Sequence, residues 1–170
     1  MKNLTNLRDI ELVEQCFEYV RDCIPHSWDI QSTIVTRKAS EVVEKRTGIC
    51  YAKSNLLAAL LRRNGIPCGF CYQRLMIFDM PERGYSLHAF NGVYIPSLQK
   101  WIVLDARGNK AGVHAIFSIE EPQLAFAVNE QLGEKTYPRI FVEPNEKTMA
   151  VLQLAKDAIE MYKYQLPDQL

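Results

Sequence analysis

The sequence is short of the features that would commit a chain to a special environment. Twenty Lys and Arg are offset by twenty Asp and Glu, so no surplus of one sign is left to grip a phosphate backbone or an anionic lipid surface. Neither nucleic acid nor a membrane is expected as a partner. Apolar runs are brief: the longest, Leu56 to Leu61, stops at Arg62-Arg63, well under the ~18 to 20 residues that span a bilayer. The opening residues Met1 to Asp9 lack the apolar core of a signal peptide, and a cytoplasmic location is expected. Cysteine is scarce and odd in number: Cys16, Cys23, Cys50, Cys68 and Cys71 argue for free thiols and against a disulfide framework.

What is present describes an ordinary globular chain. It has 170 residues, 48% of them hydrophobic, with eight Gly and eight Pro, which excludes fibrous and disordered classes. A chain of this size buries roughly 70% of the surface its unfolded form exposes, so its core needs no disulfide or metal staple. No repeat, low-complexity tract or linker interrupts it, and residues 1–170 read as a single domain.

Hydrophobic periodicity divides the chain into two regimes. Val13, Cys16, Phe17, Val20 and Ile24 fall on one face of a first helix, with Asn6 as its N-cap and Pro25 as its stop. A short helix over Lys38 to Lys45 turns Ala39, Val42 and Val43 inward and breaks at Thr47-Gly48. The next helix opens at Cys50, is apolar through Leu56, Leu57, Leu60 and Leu61, and ends at Asn64-Gly65-Ile66-Pro67. There Gly65 suits the left-handed C′ position and Pro67 forbids continuation. With few polar positions, this helix is expected at the centre. Beyond it the pattern turns to strands: Phe70 to Phe78, His88 to Tyr94, Trp101 to Asp105, a weaker run at Leu124 to Val128, and Arg139 to Val142. A last helix opens at Asn145 or Thr148, with Val151, Leu152, Ala155, Ile159 and Tyr162 on one face. Helices followed by strands joined through short turns predict an α+β fold, an antiparallel sheet packed on a central helix.

Two features carry chemistry. A nucleophilic thiol must be a thiolate, and a helix N-terminus favours an anion through its dipole and its unpaired N–H groups. Cys50, following Gly48-Ile49, is placed there, and its own N–H is a candidate oxyanion donor. The second feature is a hairpin. A turn at Pro96-Ser97 pairs residues whose numbers sum to 193, which sets His88 opposite Asp105 on one face of the sheet. A carboxylate so placed can fix an imidazole tautomer while the other ring nitrogen serves a thiol.

Four segments then bring a known family into view: Thr47-Gly48-Ile49-Cys50-Tyr51-Ala52-Lys53, Leu56 to Pro67, Leu87-His88-Ala89-Phe90, and Trp101-Ile102-Val103-Leu104-Asp105. Together, between Arg37 and Arg107, they resemble the transglutaminase-like superfamily. The resemblance implies a cysteine-peptidase-like fold with a Cys-His-Asp triad in which Cys50 is nucleophile, His88 base and acid, and Asp105 its orienter. It implies acyl transfer through a thioester, with a peptide or protein amide as substrate and water or an amine as acceptor. No cofactor or metal is needed for those steps. Two departures stand out. Ala89-Phe90 follows the histidine where members often carry Trp, and Glu44 occupies the place of the papain-type glutamine six positions before the nucleophile. The second oxyanion donor is thus unassigned, with Trp28, Gln31 and Gln73 candidates by residue type alone.

Other residues offer alternatives to this site. Cys23-x-x-His26 and Cys68-x-x-Cys71 supply the ligand count of a structural zinc site. Against it, Cys68 and Cys71 on a strand point to opposite faces, so no zinc is expected. Cys16 belongs to the core face of the first helix, and His114, in a Gly-rich turn, to the surface. Arg107 either pins the Asp105 carboxylate or faces solvent. Asp79, Glu82 and Arg83 lie in a loop that forms a cleft wall or a solvated turn. A second reading keeps the fold but makes the protein a non-catalytic binding module whose cleft is closed.

Overall fold

The computed structural model describes residues 8–170, and the helix cap expected at Asn6 lies outside them. The first helix, α1 (Arg8–Cys23), buries Val13, Phe17 and Val20 completely, as its 3.6-residue period requires. Asp9 in its first turn accepts from the Ser97 backbone N–H (2.8 Å) and hydroxyl (2.7 Å). The second helix, α2 (Ala39–Lys45), buries Val42. Val43, expected inward, is 44% exposed, because a seven-residue helix on the molecular surface turns only one stripe to the core. Helix α3 (Cys50–Arg63) is central, with nine of its fourteen residues buried. It ends as the sequence indicates: Gly65 is left-handed (φ 76°) and the Ile66 N–H returns to the Leu61 carbonyl at 3.0 Å.

Four antiparallel strands, β1 (Cys68–Met76), β2 (Tyr85–Ile95), β3 (Lys100–Leu104) and β4 (Lys135–Thr136), follow in the sheet order β3-β2-β1-β4. The sheet packs on α3, giving the α+β layering that the sequence predicts. Polar ties fix the packing: the Tyr51 hydroxyl donates to the Leu87 carbonyl (2.8 Å), and the Asn91 amide to the carbonyls of Ser54 (3.2 Å) and Gly69 (3.1 Å).

Three later elements differ from expectation. Leu124 to Val128 is irregular, since the Ala125 N–H turns inward to a carboxylate and leaves no strand ladder. Arg139 to Val142 makes only one bridge, Phe141 to Phe70. The last helix is two, α4 (Glu146–Leu154) and α5 (Ala158–Tyr164), because the Asp157 carboxylate caps a new start by accepting from the N–H groups of Ile159 and Glu160. Among the described residues no helix is long and apolar enough to cross a membrane.

Gly69 and Gly92 pair across β1 and β2, and the space above them is filled by Ile140. A methyl group on Gly69 would come within 2.5 Å of the Ile140 side chain and 2.6 Å of the Phe141 carbonyl. Gly69→Ala is expected to lower stability by about 2 kcal/mol through overpacking, read as a lower urea midpoint at unchanged slope.

Candidate active site

Cys50 stands at the first position of α3, and Ile49 before it provides no side-chain cap, so the leading N–H groups of the helix have no competing partner. The approach to Cys50 is stitched down from outside. The Thr36 hydroxyl donates to the Thr47 carbonyl (2.8 Å), the Ser27 N–H to the Gly48 carbonyl (3.2 Å), and the Ser27 and Thr47 hydroxyls share a 3.0 Å bond. Gly48 is closely packed, since a Cβ there would lie 3.0 Å from both Ala52 and Thr36 and would push on them.

His88 on β2 meets Asp105 through Nε2 and Oδ2 at 2.7 Å, with both side chains buried. The pair forms by a different register from that expected. Residue numbers across β2 and β3 sum to 195 rather than 193, and β3 ends at Leu104, so Asp105 reaches His88 diagonally from just beyond the strand. The difference arises in the turn, where a 3₁₀ segment at Pro96–Leu98 and a left-handed Gln99 (φ 50°) lengthen the loop. The offset of two preserves the side-chain face. Asp105 is further held by N–H groups donated from Arg107 (3.1 Å) to Oδ1 and Ala125 (3.0 Å) to Oδ2. Burial alone would raise its pKa, but His88 and these donors hold it below the usual carboxylate value.

With Nε2 taken by Asp105, the remaining nitrogen of His88 is left without a hydrogen-bond partner among the described residues, and Cys50 borders the same cleft, near enough for its charge to act on the ring. Burial works against a charged imidazole here, yet the Asp105 carboxylate and Cys50 outweigh it and push the His88 pKa up to about 10. The Phe126 ring stands edge-on to His88 at 5.0 Å. Cys50 and His88 are each only 5% exposed and open into a cleft of about 510 Å³.

Arg107 takes neither of its two expected roles. Its guanidinium is buried in a two-pronged pair with Asp29 (2.6 and 2.8 Å), and Lys110 adds a third contact at 2.7 Å. Only its backbone serves Asp105. Asp29 escaped the sequence reading because no local pattern ties it to a residue 78 positions away. Of the oxyanion candidates, Gln31 is exposed and gives its amide to the Trp28 carbonyl (2.6 Å). The Gln73 amide is taken by the Phe126 carbonyl and the Thr136 hydroxyl, both at 3.2 Å. Trp28 is a cleft wall, stacked on Tyr162 at 4.8 Å. Glu44 is exposed beside Lys45. Asp79 lines the cleft, whereas Glu82 and Arg83 face solvent, as does His114. Among the described residues no three His, Cys, Asp or Glu side chains converge as metal ligands.

Residues 2–106 match the model of the transglutaminase-like superfamily, a span of more than half the chain. The chain belongs to the transglutaminase-like superfamily. Membership in this superfamily supports an enzyme of the cysteine-dependent kind. Among solved structures, the chain is similar to a candidate cysteine protease from Cytophaga hutchinsonii, at 20% identity and a TM-score of 0.42 over 63% of this chain and 32% of that one. It is also similar to a TGase, at 15% identity and a TM-score of 0.43 over 100% of this chain and 55% of that one. The chain thus spans about a third and about half the length of these two proteins. No curated protein matches it. In this member of the transglutaminase-like superfamily, much of the cleft comes from beyond the matched span: Lys110, Phe126, Glu134 and Tyr162 all line it.

The five thiols differ sharply in setting. Burial pushes Cys68 and Cys71 up to about 12 and raises Cys16, while Cys23 has only its exposure in its favour. Of the five, only Cys50 lines the cleft together with His88. In a brief iodoacetamide pulse at pH 6, Cys50 is expected to be the first cysteine modified. Peptide mapping that finds Cys23, Cys68 or Cys71 ahead of it would contradict the assignment.

Proposed function

We propose that the protein is an acyl-transfer enzyme that acts on an amide of a peptide or protein through a thioester on Cys50, with His88 and Asp105 completing a triad. One observation carries this reading: His88 is held by Asp105 on one nitrogen and neighbours the Cys50 thiol, at a helix N-terminus that opens into a cleft. In this mechanism His88 takes the Cys50 proton and the thiolate attacks the amide carbonyl. The tetrahedral oxyanion accepts from the Cys50 N–H. As the C–N bond breaks, the His88 imidazolium protonates the leaving amine. Water or a second amine, deprotonated by His88, then attacks the thioester and the C–S bond breaks, returning the thiolate. Five free thiols suit a reducing compartment, and the proposal includes a cytoplasmic location.

The test is acid-quenched intact-mass analysis of the protein mixed with glutamine-containing and acyl-amide peptides, with and without a primary amine. An acyl adduct on Cys50 that is absent from Cys50→Ala, followed by release of ammonia or amine, is the expected result. Peptide bound but returned unchanged, with no adduct, would favour the binding module instead.

A further inference from the structure

Acyl transfer concentrates negative charge on the carbonyl oxygen of the tetrahedral intermediate, and the Cys50 N–H is one donor where such sites are strongest with two. Gln31 and Gln73 have their amides engaged elsewhere. We propose that the second donor is the Nε2–H of His26, which makes His26 a catalytic residue of this site; the inference rests on the acyl-transfer reading.

Three observations support this assignment. First, the His26 backbone forms a parallel bridge with Gly48, and the neighbouring Ser27 N–H bonds the Gly48 carbonyl. The ring is therefore positioned by main chain against the residue two before the nucleophile. Second, the His26 side chain borders the same cleft as Cys50 and His88, although the residue is only 3% exposed. Third, its tautomer is set. The Trp28 N–H donates to Nδ1 at 3.3 Å, so the ring proton resides on Nε2. Among the described residues no protein atom accepts from that nitrogen, and it is not among the sealed, unpaired polar atoms of the core. Tyr162 stands edge-on to the ring at 5.7 Å and holds its plane.

The electrostatics suit a donor rather than a second base. Burial, reinforced by the charge of Arg107 and opposed by Asp29, holds the His26 pKa well below the ordinary histidine value. Protonation is disfavoured at His26 by burial and Arg107 and favoured at His88 by Asp105, so the two do not exchange roles. During reaction the sulfur–carbon bond forms, the carbonyl π pair moves to oxygen, and that oxygen accepts from the Cys50 N–H and His26 Nε2–H. On collapse the pair returns to the carbonyl and the C–N bond breaks, with the amine taking its proton from His88. His26 keeps its proton throughout.

Two reactions of Cys50 separate this role from a structural one. Alkylation by iodoacetamide builds no oxyanion, whereas acylation by 4-nitrophenyl acetate does. His26→Phe and His26→Ala both remove the donor, and His26→Gln restores an N–H at a similar reach. With folding checked by circular dichroism, acylation should fall about 100-fold or more in the first two, while alkylation stays near the wild-type rate. His26→Gln should recover most of the loss. Equal losses in both reactions, no loss of acylation, no recovery in His26→Gln, or a comparable loss in Tyr162→Phe would each overturn the assignment. If the wild-type protein takes no acetyl group on Cys50, it is the acyl-transfer reading that fails, not the choice of donor.

Discussion

His88→Ala is expected to slow acylation of Cys50 by about 10³- to 10⁴-fold, the upper range for loss of a positioned acid and base. His88 shares the cleft with the thiol and binds the buried Asp105 carboxylate. Asp105→Asn should give a loss of about the same order, because an amide at 2.7 Å from Nε2 no longer stabilises the imidazolium. The two losses should not multiply: with His88 gone, Asp105 has no ring to orient, and the double variant should be about as slow as His88→Ala alone. Stopped-flow acylation rates across the four proteins check this. Multiplying losses, or an Asp105→Asn rate equal to wild type, would reduce the device to a Cys-His dyad.

The largest effect on stability is expected at Asp29. Asp29→Asn leaves the Arg107 guanidinium, whose side chain is 2% exposed, without its carboxylate. Removing one partner of such a pair costs about 3 kcal/mol, whereas replacing both with apolar residues of similar volume costs far less. Arg107→Met combined with Asp29→Leu should therefore unfold at a higher urea concentration than Asp29→Asn, and the reverse order would refute the pairing as the cause. The pH dependence follows from the same contact. Burial would raise the Asp29 pKa, but Arg107 and Lys110 outweigh it and hold the carboxyl below its usual range, as His88 does for Asp105. A depressed carboxyl means that the unfolded chain binds protons more readily than the folded one. The stabilisation is thus present above the unfolded value, about pH 4, and is lost as the pH falls through the lower folded value. Wild type should lose stability below about pH 4 to 5 more steeply than Asp29→Asn.

Much of the candidate site was legible because its signals are local. Cys50 follows Gly48-Ile49 and precedes an apolar helix closed by Gly65 and Pro67, and one short stretch contains all of these. The pairing of His88 with Asp105 was legible on the correct face but in the wrong register. Face depends only on parity, whereas register depends on how many residues the turn at Pro96 to Gln99 absorbs. Asp29 and the stacking of Tyr162 on Trp28 were not legible at all, since they arise from contacts between distant segments. His26 entered the sequence reading only as a zinc ligand. Its place beside Gly48 comes from a backbone bridge, which side-chain patterns do not encode. The break between α4 and α5 was readable in principle, because Asp157 is a strong N-cap within what otherwise looks like one apolar stripe.

The cleft is assembled from two stretches of the chain that answer to different demands. Cys50, His88 and Asp105 all lie within residues 2–106, whereas Tyr162, Phe126 and Lys110 lie after them. The later stretch is also wired back into the earlier one: the Ala125 N–H bonds Asp105, and the Leu87 N–H, next to His88, bonds the Pro167 carbonyl at 2.7 Å. If the proposed activity holds, substrate preference and reaction chemistry can drift apart in evolution only within limits. Under the proposed acyl transfer, a change in the C-terminal wall that reshapes the opening for a new side chain would also tug on the Asp105 carboxylate, so selectivity and rate would be mechanically linked.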